Sequence, residues 1–235
     1  MTGLTTLVTG GNRGIGRELA AQLADRGHAV VLGARSLAAA QAAVDDLLAD
    51  APARSVTALT LDVTDRDDVA RAARTLDATS GRLDVLVNNA GGFFDYERRS
   101  VDADLSVVSE AFATNVVGTW RVVQDMLPLL RRAAAPVIVN VSSEKACLTT
   151  MDGTTPAYRA SKIALNALTR MLAADLDDDG VAVYGASPGW TATDLGGPAG
   201  RPVAEGAASI RWVLEQERST LRTGHVYQDG RVLPW

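Results

Sequence analysis

Short apolar runs alternate with helix-length amphipathic segments along most of this 235-residue chain, and that alternation constrains the fold more than any other feature. Residues 5–9 form a short β-prone run. Ile15, Leu19 and Leu23 then recur at helical spacing, and Gly27 follows as a stop. Residues 28–33 are predicted as the next strand, Ser36 as the cap of a helix reaching about Asp50, and 56–61 as a third strand. Thr64 is expected to start a helix with Asp65 and Asp67 in its first turn, where the helix dipole favours acid, and Gly81 to end it. Strands follow at 83–87, 137–141 and 181–186, separated by helical regions at about 101–132 and 156–178. Strands that are apolar throughout are buried on both faces. The pattern therefore predicts an α/β fold, a mostly parallel, doubly wound sheet with helices on both faces. Ligands of such sheets bind beyond the carboxyl ends of the strands, so functional residues are expected there.

Composition narrows the reading. With 47% hydrophobic and 22% charged residues, the chain has material for a sizeable core and does not read as disordered. A single domain over 1–235 is expected. The formal net charge of −5 gives no basic surface for nucleic acid. Cys147 is the only cysteine, which excludes an internal disulfide framework and a cysteine-only metal site. No apolar run approaches the roughly 18–20 residues of a membrane span. The start, Met1-Thr2-Gly3-Leu4-Thr5, lacks the basic region of a signal peptide, so a cytoplasmic location with no membrane partner is expected. Among the 23 basic residues only Lys145 and Lys162 are lysines, and there are four tyrosines, so either type beside a strand end is informative.

After the first strand comes Thr9-Gly10-Gly11-Asn12-Arg13-Gly14-Ile15-Gly16. Glycines 10, 14 and 16 allow a tight turn and a close backbone approach, and the following helix N-terminus offers free N–H groups to a pyrophosphate. The spacing is neither Gly-x-Gly-x-x-Gly nor that of a P-loop, and a purely structural strand-to-helix turn is the alternative. An acid about 20 residues further on would bind the ribose 2′-hydroxyl of NAD. The second strand instead leads into Gly33-Ala34-Arg35-Ser36. Arg35, helped by Arg13, could pair with a 2′-phosphate, which points to NADP(H). The alternative for each arginine is a solvated surface cation.

Tyr158 and Lys162 open a predicted helix started by Pro156, four residues apart and so on one face. A nearby cation lowers the pKa of a phenol, which would make the pair a tunable general acid and base. An amphipathic helix that happens to carry both residues is the plain alternative.

Taken together, these residues resemble the short-chain dehydrogenase/reductase family over essentially the whole chain. Residues 9–16 are similar to its Thr-Gly-x-x-x-Gly-x-Gly turn, Asn88-Asn89-Ala90-Gly91 to its Asn-Asn-Ala-Gly segment, and Ser187-Pro188-Gly189 to its Pro-Gly segment. Asn115, Ser143, Tyr158 and Lys162 fall where its catalytic tetrad should be. The resemblance implies a Rossmann-type fold and an NADPH-dependent carbonyl reductase acting on a small-molecule carbonyl or alcohol. It implies that Tyr158 protonates the carbonyl oxygen, Lys162 holds the nicotinamide ribose, Ser143 hydrogen-bonds the substrate oxygen and Asn115 positions a relay water. It also implies cofactor contacts for Gly10, Asn12, Arg13, Gly14, Ile15, Gly16, Arg35, Asp62, Val63, Asn89, Ala90, Gly91, Pro188 and Gly189, and for Thr191 or Thr193. Ser142 competes with Ser143, and the second of the pair is the family's usual choice. No metal is implied. Homodimers and homotetramers occur in the family, and monomers in its carbonyl-reductase-like branch, which the glycine turn, Trp190 and the ending at Trp235 most resemble. Two rivals are a non-catalytic NADP(H) sensor and an epimerase or dehydratase that recycles its cofactor.

The segment between Ser143 and Tyr158 is two residues longer than the family's common spacing. It carries Glu144-Lys145-Ala146-Cys147 in place of small residues, which affects the expected pocket shape. Residues 190–206, rich in Gly, Pro and Ala, resemble the family's mobile substrate loop. Phe93, Phe94, Trp190 and Trp212 are divided between substrate wall and core. Cys147 reads as an apolar filler, His28 as a surface residue, His225 as no metal ligand, and 177–179 as a solvated acidic face.

Overall fold

The structure, a computed structural model, describes residues 3–92 and 95–235. Met1 and Thr2 of the expected leaderless start, and Phe93 and Phe94, lie outside the described residues. Strands β1 (Thr5–Thr9), β2 (Ala29–Ala34), β3 (Ser55–Thr60), β4 (Val85–Asn88), β5 (Val137–Val141), β6 (Ala182–Ala186), β7 (Val226–Gln228) and β8 (Arg231–Val232) form one sheet in the order β3-β2-β1-β4-β5-β6-β7-β8. All neighbours run parallel except β7 and β8. The strand order reverses beside β1, between β2 and β4. This is the switch point of a Rossmann-type fold, and it opens a crevice at the carboxyl edge.

Successive residues of a strand point to opposite faces, and the cores follow that rule. Val8, Val85, Val87, Val139 and Val141 pack on one side with α1 (Gly14–Ala24), α2 (Leu37–Asp50) and α7 (Val203–Glu215). Leu7, Leu86 and Ile138 pack on the other with α3 (Arg66–Ser80), α5 (Thr119–Leu130) and α6 (Pro156–Asp175). The β-branched strands are buried on both faces, which is why their sequences show no polar alternation.

Local chemistry shifts several expected boundaries. Ser36 caps α2 through a bond from Ala39 N–H, as expected. At α3 the cap is Asp65 rather than Thr64: its carboxylate accepts from Asp67 and Asp68 N–H at 2.8 and 3.0 Å, while the Thr64 hydroxyl turns back to Asp62. The helical region expected at 101–132 begins as α4 (Leu105–Phe112), widens into a π turn at Ala113–Gly118 and continues as α5. Residues 203–206 of the expected substrate loop are the first turn of α7, and the sequence pattern marks none of α7, β7 and β8.

His28 is a correction. It is 3% exposed, with its Nδ1 2.8 Å from the Thr6 hydroxyl at the amino edge of the sheet. Burial holds its pKa below the ordinary histidine value of 6.5. As the pH falls below 6.5, the unfolded chain takes up this proton before the folded one, so the contribution of His28 is intact above that pH and is lost below it. Thermal melts between pH 7 and 5 should show wild type losing a few degrees more in Tm than His28→Gln. Equal losses would show that this histidine does not set the acid limit.

Candidate active site

The predicted catalytic side chains come from three segments that meet at the ends of β4 and β5. Ser143 follows β5, Tyr158 and Lys162 lie on the first turns of α6, and Asn115 sits in the π turn. Pro136 and Pro156 flank the β5-to-α6 stretch, and Pro156 occupies the first helical position, where a missing N–H costs nothing. One helical turn then places Tyr158 and Lys162 side by side, 7% and 5% exposed. The Lys162 ammonium donates to Val141 O at 2.7 Å and lies 5.9 Å from the centre of the Tyr158 ring.

The two serines separate cleanly. The Ser142 hydroxyl is buried and donates to Asn166 Oδ1. The Ser143 hydroxyl faces the other way, shares a hydrogen bond with the Tyr158 phenol and accepts from Lys145 N–H at 3.2 Å. Asn115, fully buried, donates to Ser161 Oγ at 2.9 Å and exchanges bonds with Gly92 N–H and C=O. The π turn is what brings its amide off the helix face and behind Gly91.

The electrostatics differ from the acidified phenol expected above. Burial pushes the Tyr158 phenol up to about 12, opposed by its bond to Ser143. Burial also pulls the Lys162 ammonium down to about 8. Desolvation is the leading cause of both shifts. A phenol in that state keeps its proton at neutral pH and is equipped to donate it.

In front of the tetrad runs a cleft of about 620 Å³. Its floor is the glycine turn, where Gly10 and Gly14 adopt φ of +62° and +53°, the left-handed region that excludes most side chains. Arg13 precedes α1 without a side-chain cap, and the first turn of α1 holds no acid, so its N–H groups are open to an anion. Asn89 clamps this turn: its amide donates to Thr9 and Gly10 carbonyls at 2.9 and 3.0 Å. A Cβ on Gly91 would stand 2.7 Å from Asn115 Oδ1 and 3.4 Å from Lys162 Nζ, so only glycine lets both side chains approach the backbone here. These features suit a dinucleotide.

Every expected cofactor residue lines the cleft except Gly189 and Thr191, of which both line the pocket beside it. Of the two threonines left open, Thr193 faces the cleft. The Thr191 hydroxyl is committed to the carbonyls of Pro188 and Gly189. Arg35 is exposed on the cleft wall, and Arg13 meets Asp194 at 2.6 Å with both side chains largely in solvent. Such a pair is worth about 0–1 kcal/mol and yields readily to a phosphate.

The adjoining pocket, about 260 Å³, meets the cleft at Tyr158 and Ser143 lines its floor. Glu144, Lys145, Trp190 and Leu195 form its walls. Trp190 donates to Gly196 O at 2.8 Å, whereas Trp212 packs on Tyr227 in the core. Cys147 is buried with its sulfur 3.0 Å from the Thr149 hydroxyl, and 177–179 are exposed.

Three further residues contribute, of which only Thr9 stands within an expected motif. Thr9 accepts from Asn89 and Ala90 N–H at 3.0 Å, tying β1 to β4. Tyr96 lines the pocket and donates to Leu195 O at 2.8 Å, a role its rarity as a tyrosine hinted at. Asp194 had no signal, because only the fold brings it to Arg13.

The chain is similar to known proteins. Residues 4–202 match the family model described as short chain dehydrogenase. A short chain dehydrogenase of Monascus purpureus is 37% identical, over 82% of this chain and 66% of its own length, so the chain spans a little under two thirds of that relative. The rhamnolipids biosynthesis 3-oxoacyl-[acyl-carrier-protein] reductase of Pseudomonas aeruginosa is 32% identical over 100% of this chain and 95% of its own. An NADPH-bound carbonyl reductase from chicken fatty liver superposes with a TM-score of 0.88 at 27% identity, covering 100% of both chains. The combination of a glycine turn clamped by Asn89, a proton-holding Tyr158 beside Lys162, and a family match over most of the length leads to one conclusion: the chain belongs to the short-chain dehydrogenase/reductase family.

Proposed function

We propose that this chain, acting as one domain over 1–235, is an NADP(H)-dependent oxidoreductase that reduces a carbonyl to an alcohol. The observation that carries the proposal is the meeting of the long cleft and the smaller pocket at Tyr158, with Ser143 on the pocket side and Lys162 on the cleft side. Arg35 and Arg13 on the cleft wall favour a 2′-phosphate, and the absence of an acid after β2 removes the usual partner of an unphosphorylated ribose. Two similar structures, described with NADPH and with NADP, support this choice of cofactor. The relative described as a 3-oxoacyl reductase supports carbonyl reduction.

Bound nicotinamide supplies the hydride, and the protein supplies position and the proton. Ser143 hydrogen-bonds the carbonyl oxygen and stabilises the charge that develops there. Tyr158, protonated at neutral pH, transfers its proton to that oxygen. Lys162, anchored at Val141 O, holds the ribose and stabilises the phenolate left behind. Asn115, fixed by Gly92 and Ser161, positions a water for the relay that restores the proton. Thr193, Pro188 and Gly189 border the nicotinamide end of the cleft. A sensor would need the glycine turn alone, and a cofactor-recycling epimerase or dehydratase would leave NADPH unspent.

With a panel of ketones, wild type should consume NADPH in step with alcohol formed, and Tyr158→Phe should lose about 10²–10⁴-fold in kcat, the span of general acid catalysis. Wild-type turnover in that variant would overturn the assigned donor, and catalysis without net NADPH loss would favour the recycling reading. Arg35→Ala should cost roughly tenfold or more in kcat/KM with NADPH, the worth of a hydrogen bond to a charged group, and leave NADH nearly untouched. Equal efficiency of wild type with both cofactors would refute the NADP(H) assignment.

A further inference from the structure

The helix that carries the proton donor is held at its start by a side chain from far away in the sequence. We infer that Asp95 is a positioning residue for Tyr158, acting through the first turn of α6. The inference rests on the donor role proposed above for Tyr158.

Helix α6 opens in an unusual way. Thr155 at the cap lies in the left-handed region at φ +47° without being glycine, its side chain makes no capping bond, and its hydroxyl is buried without a partner among the described residues. A threonine at this position ordinarily satisfies an N–H of the first turn. Asp95 does so instead: its Oδ2 accepts from Ala157 N–H at 3.0 Å, across 62 residues of sequence. The carboxylate also sits at the positive end of a 20-residue helix, where negative charge is favoured. Its second oxygen, Oδ1, is buried and takes no hydrogen bond from the described residues, which is costly for a group serving only as a surface cap.

The placement matters because Ala157 immediately precedes Tyr158. A backbone conformation as strained as that of Thr155 persists only where its surroundings over-determine it, and such strain gathers at functional sites. Asp95 holds the turn from one side. From the other, buried Arg159 donates to Asp152 Oδ2 at 2.9 Å and Lys145 O at 3.3 Å, fixing the segment after Ser143 against the same turn. The neighbour of Asp95, Tyr96, grips Leu195 O across the substrate pocket. The Asp95-Tyr96 pair thus joins the catalytic helix to the pocket wall, and it sets the phenol against Ser143.

Asp95→Ala and Asp95→Asn test this against wild type by three readouts: steady-state turnover of one reduced ketone, NADPH binding by fluorescence, and amide hydrogen exchange of 157–161. Asp95→Ala should lose on the order of tenfold or more in kcat, as small misplacements of a reacting group do, with ketone KM and NADPH Kd within about threefold of wild type. The 157–161 amides should exchange roughly tenfold faster. Asp95→Asn keeps an acceptor for Ala157 N–H and should recover most of both effects. Unchanged exchange in Asp95→Ala, a loss confined to KM or cofactor affinity, or an Asn variant no better than Ala would overturn the inference. Failure of wild type to reduce any ketone would instead sink the functional proposal, and the exchange result alone would then decide the hold of Asp95 on the helix.

Discussion

A parallel strand that ends inside a protein leaves backbone groups with no ladder partner, and side chains just beyond the end have to satisfy them. The carboxyl edge of this sheet meets that requirement with the residues that also form the site. Lys162 satisfies Val141 O at the end of β5, and Asn89 satisfies Thr9 and Gly10 carbonyls at the end of β1. Thr9 in return accepts from the two N–H groups that follow β4. Ser187, just after β6, is bound to Gln228 on β7, which reaches on to Glu144 beside Ser143. The crevice between the diverging connections is thereby both a structural necessity and the proposed binding cleft.

Burial does the chemical tuning. The same desolvation raises the phenol of Tyr158 to about 12 and lowers the ammonium of Lys162 to about 8, so two groups with similar ordinary values are driven apart. The phenol holds its proton at neutral pH, and the lysine is poised near the point at which it exchanges one. This arrangement suits the proposed reduction, in which the donor must begin protonated, and Lys162 is anchored to the end of β5 beside the cleft.

Much of this was legible in the residues because it rests on local rules. The strand and helix periods placed β1 to β6 and α1 to α6, and the glycine turn, Asn89, Tyr158 and Lys162 each stand directly after a strand or within one helical turn of each other. What escaped depends on long-range contact. A lone histidine before a strand carries no mark of burial, so the pattern places His28 on the surface, yet Thr6 and the sheet edge enclose it. The α3 cap moved by one residue because Asp62 captured the Thr64 hydroxyl. Short β7 and β8 pair only once the chain returns to β6, and their few residues show no period. The raised phenol could not be foreseen from spacing, since the depth of burial is a property of the packed molecule.

In the proposed function the side chains around Tyr158 serve a hydride transfer between the cleft and the adjoining pocket. The most direct measurement is mass spectrometry of the alcohol formed from NADPH carrying deuterium at the transferable position of its nicotinamide. The account predicts one deuterium on the carbinol carbon for each NADPH oxidised. Product that forms without the label, from cofactor that remains reduced, would contradict it.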